Sequence, residues 1–248
     1  VTLIDRNNYH KFQPLLYEVA MAGLEPDDIA HNVRNIFQGD ETVQFRLGTV
    51  VGLDPEANLV HLKGSAPVSY DHLILAAGAV SNDFGIPGVQ EHGYPLKNVP
   101  DAVNLRNHVL RQFERYDRKQ EQAEEGALSF VIVGGGPTGV EMAGALVELF
   151  DTLNDDFAKF DTRERARCIL LEMEEGLLPP YASHLQDYTR EVLEDRGVNV
   201  RTETAVERVT ADAVHLSDGS TIPSQTLIWA AGVKASPVAD LLGAEQAG

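Results

Sequence analysis

The run Ser129 to Val133, followed at once by Gly134, Gly135, Gly136, Pro137, Thr138 and Gly139, constrains this chain more than any other feature. A short β-rich apolar run, a glycine loop and then the apolar-periodic stretch Val140 to Phe150 read as strand, tight turn and helix. Gly134, Gly136 and Gly139 occupy the glycines of a Gly-x-Gly-x-x-Gly pattern. Gly134 permits the turn, Gly136 lets backbone approach a pyrophosphate, and Gly139 allows close packing of helix on strand. The helix N-terminus attracts phosphates. The pattern alone is weak, but between a strand and a helix it predicts an α/β, Rossmann-like dinucleotide-binding domain. The next predicted strand, Cys168 to Glu172, ends in an acid. Such an acid accepts hydrogen bonds from the adenosine ribose. A carboxylate there repels a 2′-phosphate, and Met173, Glu174 and Glu175 provide no arginine to receive one, so the pattern favours NADH over NADPH. The acid usually follows the loop by about 20 residues. Here the polar stretch Asp151 to Arg167 intervenes.

The unit is repeated. Val1 to Asp5 matches Cys168 to Glu172, and Phe45-Arg46 matches Val200-Arg201. Asn58 to Leu62 resembles Asp212 to Leu216, and Leu73 to Gly78 resembles Leu227 to Gly232. The offset is about 167 residues in the first pair and about 155 in the others, so the order is kept with one modest change of length. Each copy reads as an acid-ended strand, a β-meander and a closing strand with Ala-Gly, and the second copy also has the opening strand and glycine loop. Because Glu172 follows Gly134 by about 38 residues, roughly 40 residues are expected before Val1 on the same plan. With Ala244 to Gly248 closing no element, the chain reads as an internal fragment whose first dinucleotide domain is incomplete. Two such folds predict two dinucleotides; one working site beside a relic is the alternative.

Composition excludes other classes. Lys and Arg total 20 against 38 Asp and Glu, a net charge of −18, which repels nucleic acid and gives no attraction to an anionic membrane face. Apolar residues at 43% and charged residues at 23% are in the globular range. There is no run of 18 apolar residues for a membrane-spanning helix. The single cysteine, Cys168, excludes a disulfide framework, a Cys-x-x-Cys pair and a cysteine-rich zinc site. The eight histidines include no pair at helical i+3 or i+4 spacing, so no metal site is predicted. Without a Gly-x-Ser-x-Gly, a hydrolase has no nucleophile elbow.

The segments Val1 to His10, Phe12-Gln13-Pro14-Leu15-Leu16-Tyr17-Glu18-Val19-Ala20, Val131 to Glu141 and Leu227 to Pro237 resemble type II NADH dehydrogenases, the single-subunit NADH:quinone oxidoreductases that pump no protons. The glycine motif is shared with all two-dinucleotide flavoproteins; the Phe-Gln-Pro-Leu-Leu segment is more particular. The resemblance implies that the first copy binds FAD and the second NADH, with the NADH domain inserted into a discontinuous FAD domain. Residues 1–100 would be the first FAD segment, 101–124 a linker helix, 125–232 the NADH domain and 233–248 the start of the return to the FAD domain. The family's first glycine loop, and the C-terminal part that carries the last flavin contacts, the quinone site and the membrane-binding helices, are expected outside this chain. The implied enzyme is a respiratory-chain flavoprotein, peripheral on the cytoplasmic side of the membrane and a possible homodimer, while the fragment itself would be soluble. Rivals are a rubredoxin or ferredoxin reductase, a sulfide:quinone oxidoreductase (which needs catalytic cysteines), and a non-catalytic NAD(H)-binding module.

Individual residues carry two readings each. Asp5 would bind the FAD ribose or be a solvated strand-end acid. Gln13 and Pro14 would lie beside the isoalloxazine, and Leu15, Leu16 and Val19 would begin an amphipathic helix with its apolar side in the core. Glu141, placed in the first turn of the dinucleotide helix, would reach the nicotinamide–flavin junction or simply be stabilised by the helix dipole. Ala76, Ala77 and Gly78, and equally Ala231 and Gly232 after Ala230, would let backbone pass close to a cofactor, or mark a tight packing turn. Asp101 to Tyr116, with Val109, Phe113 and Tyr116 at helical spacing, reads as a linker helix. Gln120 to Glu125 reads as a solvated approach to the strand at Ser129, and Asp218-Gly219 as a hairpin turn.

Overall fold

The alternation of Phe130, Val131, Ile132 and Val133 is the pattern of a strand buried on both faces. The computed structural model, which describes residues 1–119 and 124–243, bears this out. Phe130 and Ile132 enter one core cluster, Val131 and Val133 another. Most of Gln120 to Glu125, and all of Ala244 to Gly248, lie outside the described residues. The chain divides into two units: residues 1–12, 30–80 and 233–248, and residues 13–29 and 81–232.

In chain order the elements that organise these units begin with β1 (Thr2–Asp5), α1 (Leu16–Ala20), β2 (Gln44–Leu47), β3 (Val50–Asp54), β4 (Leu59–Leu62) and β5 (Val68–Ser69). Then come β6 (Gly93–Pro95), α2 (Val99–Lys119), β7 (Ser129–Val133), α3 (Pro137–Leu153) and β8 (Arg167–Leu171). The last are α4 (Ser183–Asp195), β9 (Val198–Arg201), β10 (Val206–Val209), β11 (Ala213–Leu216), β12 (Thr221–Pro223) and β13 (Thr226–Trp229).

The second unit is built on a five-stranded sheet in the order β9-β8-β7-β13-β6, with every neighbouring pair parallel. One face carries α1, α2 and α3, whose Leu16, Val19, Leu105, Val109, Phe113, Met142 and Leu146 meet Phe130, Ile132, Leu170 and Ile228. The other face carries the antiparallel meander β10-β11-β12, whose Val206, Val209, Val214, Leu216 and Ile222 meet Val131, Ile169, Leu227 and Trp229. The sheet is thus a middle layer, as parallel sheets require. Phe113, Phe130, Phe150 and Phe157 form an aromatic knot with centroids 5.5–5.9 Å apart. Asp218-Gly219 does turn the β11–β12 hairpin, with Gly219 at φ +86°.

Two expectations about α2 and its neighbours change. The stretch Asp101 to Tyr116 is a core helix rather than a linker, since Ala102, Leu105, Val109 and Phe113 are fully buried. Residues 13–29 and 81–100 pack with the second unit rather than the first, because Leu16, Val19, Ala20, Met21 and Ile29 bury in its helical core.

The first unit is thinner and repeats part of this plan. β1 and β2 pair in parallel, Thr2 opposite Gln44 and Asp5 opposite Leu47, as β8 and β9 do. The meander β3-β4-β5 repeats β10-β11-β12 down to its irregularity. The register slips between Val50 opposite Leu62 and Gly52 opposite His61, and at the matching place between Val206 opposite Leu216 and Arg208 opposite His215. The Ala-Gly segments also correspond. Ser236 N–H donates to Gly78 O in the first unit, and Asn82 N–H to Gly232 O in the second. One expected element does not form. Leu73 to Gly78 is not a strand, and Ile74 is 89% exposed. Its counterpart β13 is held between β7 and β6, and among the described residues of the first unit no strand stands in the place of β7 to supply that ladder.

Candidate functional site

At the C-terminal ends of β7, β8 and β13 the second unit gathers the glycine loop, Glu172 and the Ala230–Gly232 segment. Gly134 leaves β7 at φ +110°, a left-handed-side conformation open to glycine. A Cβ there would stand 2.9 Å from the backbone of Ala230 and Ala231, so the loop and the end of β13 touch backbone to backbone. The Gly134 N–H donates to Leu171 O at 2.8 Å, and Ala230 N–H to Val133 O at 2.9 Å. A Cβ on Gly139 would stand 1.8 Å from Gly134 O, which is the close helix–strand packing expected of the third glycine. Gly136 is different. Its φ of −74° suits any residue, yet a Cβ there would meet nothing within 4 Å. That open space lies directly before the N-terminus of α3, whose cap residue Gly136 has no side chain to occupy the first helical N–H groups and whose first residue is Pro137. Thr138 is half-buried behind it. An anion is the natural partner of such an end.

Glu172 is 9% exposed. Its Oε2 accepts from Gly135 N–H at 2.5 Å, and its Oε1 from Glu174 N–H at 2.9 Å. Its own backbone is pinned by Glu172 N–H to Arg201 O at 2.9 Å and Thr204 N–H to Glu172 O at 2.8 Å. The acid of the second strand therefore stands against the second glycine of the loop. Its delayed position in sequence costs nothing in space, because the residues between run through α3 and the polar connection that follows it. Leu178 N–H donates to Gly135 O at 2.8 Å, and Leu177 packs against Gly135. The sequence reading missed these two leucines; the signal was the apolar pair directly before Pro179-Pro180. It also missed Asn82 and Phe84. Asn82 O accepts from Trp229 Nε1 at 2.7 Å and Asn82 Oδ1 from Phe84 N–H at 3.1 Å, and the Phe84 ring lies over Gly232, at φ +66°.

Glu141 needs a correction. α3 begins at Pro137, so Glu141 is in the second turn, and the first turn holds no acid. The dipole effect fades beyond the first turn. Partial burial instead pushes the Glu141 carboxyl up from its usual range. Tyr17 of α1 is near enough that the carboxylates of Glu18, Glu141 and Glu148 raise its phenol further, burial being the largest cause. Gln13 and Pro14 form a 3₁₀ turn that leads into α1; Gln13 is half-buried and Pro14 exposed.

The remaining candidates stand in the first unit. Asp5 ends β1, exposed, and its Oδ1 accepts from Asn7 N–H at 2.8 Å. Ala76, Ala77 and Gly78 are exposed, with Gly78 at φ +67°. Among the described residues no hydrogen bond joins Asp5 to these three.

The profile of the family described as pyridine nucleotide-disulphide oxidoreductase matches residues 1–248. The chain belongs to that family. Among curated relatives of the pyridine nucleotide-disulphide oxidoreductases, it is 36% identical to the type II NADH:quinone oxidoreductase Ndh of Mycobacterium tuberculosis, over 95% of this chain and 53% of that protein. It is 30% identical to an external alternative NADH-ubiquinone oxidoreductase of Yarrowia lipolytica mitochondria, over 96% of this chain and 44% of that protein. The solved NDH2 of Plasmodium falciparum in complex with NADH shares the fold, with a TM-score of 0.86 and 24% identity over 95% of this chain and 50% of that one. The chain spans about half the length of the curated relatives it matches. Despite the family's description, this pyridine nucleotide-disulphide oxidoreductase chain has one cysteine, Cys168, buried in β8 with its thiol pushed far up by burial. No redox disulfide can form within it.

Proposed function

We propose that the chain is the nucleotide-handling part of a type II NADH:quinone oxidoreductase. The observation that carries this reading is Glu172 held on Gly135 N–H beside the open face of Gly136. Together these form a ribose acceptor next to a pyrophosphate cradle. Gly134, Gly135, Gly136, Pro137, Thr138 and Gly139 would hold the NADH pyrophosphate, Glu172 its ribose, and Ala231 and Gly232 would let the dinucleotide lie against backbone. No cation follows Glu172 to receive a 2′-phosphate: Met173, Glu174 and Glu175 are exposed and none is basic. NADH is therefore the donor.

FAD is assigned to the first unit, with Asp5 on its ribose and Ala76, Ala77 and Gly78 against it; its N-terminal glycine loop has no counterpart among residues 1–12. When bound, the flavin supplies the two-electron chemistry that links NADH to a quinone. The protein's own task is to position the rings and keep water away. Gln13, Pro14 and Glu141 are the residues we place beside the reacting rings; partial burial raises the Glu141 carboxyl from its usual range. The absence of a cysteine pair supports a diffusible acceptor over transfer through a disulfide, and the quinone follows the named relatives. The domain boundary at 232, a peripheral place on the cytoplasmic membrane face, and a homodimer belong to the same reading. Among the described residues no helix is long and apolar enough to cross a membrane.

The test is the full-length enzyme's kcat/KM with NADH and NADPH, using a quinone as acceptor. NADH should be preferred strongly, and Glu172→Ala should narrow the gap by weakening NADH and removing the repulsion. Equal use of both donors by the wild type, or no quinone reduction, would refute the reading.

A further inference from the structure

A second concavity opens at the other end of the five-stranded sheet, where its strands begin. Thr226 starts β13 there, and β6 lies beside it with Gly93 opposite Leu227. Two adjoining clefts of about 350 Å³ and about 330 Å³ share Gly93, Tyr94 and His108. Arg111 lines one of them and Arg115 the other. The two arginines are one turn apart on α2 and exposed. Among the described residues neither makes a salt bridge or hydrogen bond. Like charges at i and i+4 repel, so an anion between them relieves a strain already present in the helix.

The floor of the clefts is a fixed polar network. Tyr94 Oη lies 2.7 Å from His108 Nδ1; His108 Nε2 lies 2.8 Å from Thr226 Oγ1 and 3.1 Å from Gln112 Nε2. The two rings stack with centroids 4.3 Å apart. Burial pushes His108 down to about 4, with Arg115 and Arg111 lowering it further, so the ring is neutral near pH 7. Both arginines also oppose the rise that burial imposes on the Tyr94 phenol. Two acids also line the clefts. Asp101 Oδ2 accepts from the backbone N–H of Lys97 and Asn98, each at 3.0 Å, and Glu91 stands 3.8 Å from His92. In a chain of net charge −18 the overall field repels anions, so any anion held here must be held by this local pair.

We propose that a phosphate group binds where the two clefts meet, clamped by Arg111 from one and Arg115 from the other beside the shared Tyr94 and His108. Guanidinium forks match phosphate oxygens in bidentate pairs, and Asn104 adds an amide at the rim. The site lies at the strand N-termini, away from the glycine loop at the C-termini, so its ligand does not compete with a dinucleotide for Gly134 to Gly139. The volume accommodates a phosphorylated small molecule.

The test uses the whole chain labelled with ¹⁵N-arginine and ¹⁵N-glycine, with inorganic phosphate as the probe and sodium chloride matched for ionic strength. Phosphate should shift the Arg111 and Arg115 Nε–H resonances saturably while chloride does not. Arg111→Gln and Arg115→Gln, both on the exposed side of α2, identify those resonances. Each should weaken binding about tenfold, the effect of losing one charge-assisted clamp. Shifts confined to Gly135, Gly136 and Gly139 would put the phosphate on the glycine loop and overturn the proposal. So would resonances that move equally with chloride, resonances that do not move, or tighter saturation by succinate, which would make the cleft a dicarboxylate site.

Discussion

The glycine loop separates folding from ligand binding within four residues, and a pair of alanine substitutions exposes the difference. At Gly139 an added Cβ would stand 1.8 Å from Gly134 O, whereas carbon and carbonyl oxygen rest no closer than about 3.3 Å. Something must open by about 1.5 Å. The contacted atom is backbone, and the loop that carries it is tied by Gly134 N–H to Leu171 O and by Leu178 N–H to Gly135 O. α3 is equally fixed, since Met142, Ala143 and Leu146 are fully buried. Overpacking of this kind costs about 1–3 kcal/mol or more, and for a unit of this size each kcal/mol lowers Tm by about 2–4 °C. Gly139→Ala should therefore melt roughly 2–12 °C lower than the wild type. At Gly136 the added Cβ meets nothing and φ is −74°, so Gly136→Ala should melt with the wild type. Its methyl would instead fill the space given to the pyrophosphate, and losing one charge-assisted hydrogen bond there weakens NADH by about tenfold or more. Thermal denaturation by circular dichroism and titration of NADH fluorescence read the two effects. A Gly139→Ala protein as stable as wild type would show that helix and loop are not in the contact described. Unchanged NADH affinity in Gly136→Ala would remove the loop from the binding site.

Two further outcomes follow from charge. The Glu141 carboxyl is raised by partial burial, so its charged form disfavours the folded state above the carboxylate range; Glu141→Gln should be slightly more stable at pH 7, with the difference closing as pH falls through that range in matched melts. The same substitution should alter the rate of flavin reduction in stopped-flow traces of the full-length enzyme, and unchanged traces would leave the residue without a role beside the rings. His108 sits at about 4 in the folded chain, mainly through burial, against about 6.5 unfolded. The unfolded state therefore takes up the proton first, and stability should drop between about pH 6.5 and pH 4 and level off below. In His108→Gln that segment of the pH–Tm curve should flatten, and an imidazole titration near 6.5 by NMR would contradict the burial described.

The sequence by itself determined the parts whose physics is local. Gly134, Gly136 and Gly139 between an apolar run and an amphipathic one can do little but turn a strand into a helix. The repeated order of acid-ended strand, meander and Ala-Gly segment survives translation into structure, to the register slip at Val50 and Val206. What only the tertiary structure decided depends on neighbours that are distant in the chain. Leu73 to Gly78 has the composition of β13 but no ladder beside it, and a strand exists only through its partners. The apolar stripe of α2 looks the same whether it links domains or packs in a core; the sheet face carrying Phe130 and Ile132 made it core. Glu141 is two residues beyond Gly139 on any reading, but its carboxyl is governed by the burial that α3 meets in the fold, because proton affinity depends on solvent access and facing charges that no spacing in the sequence records.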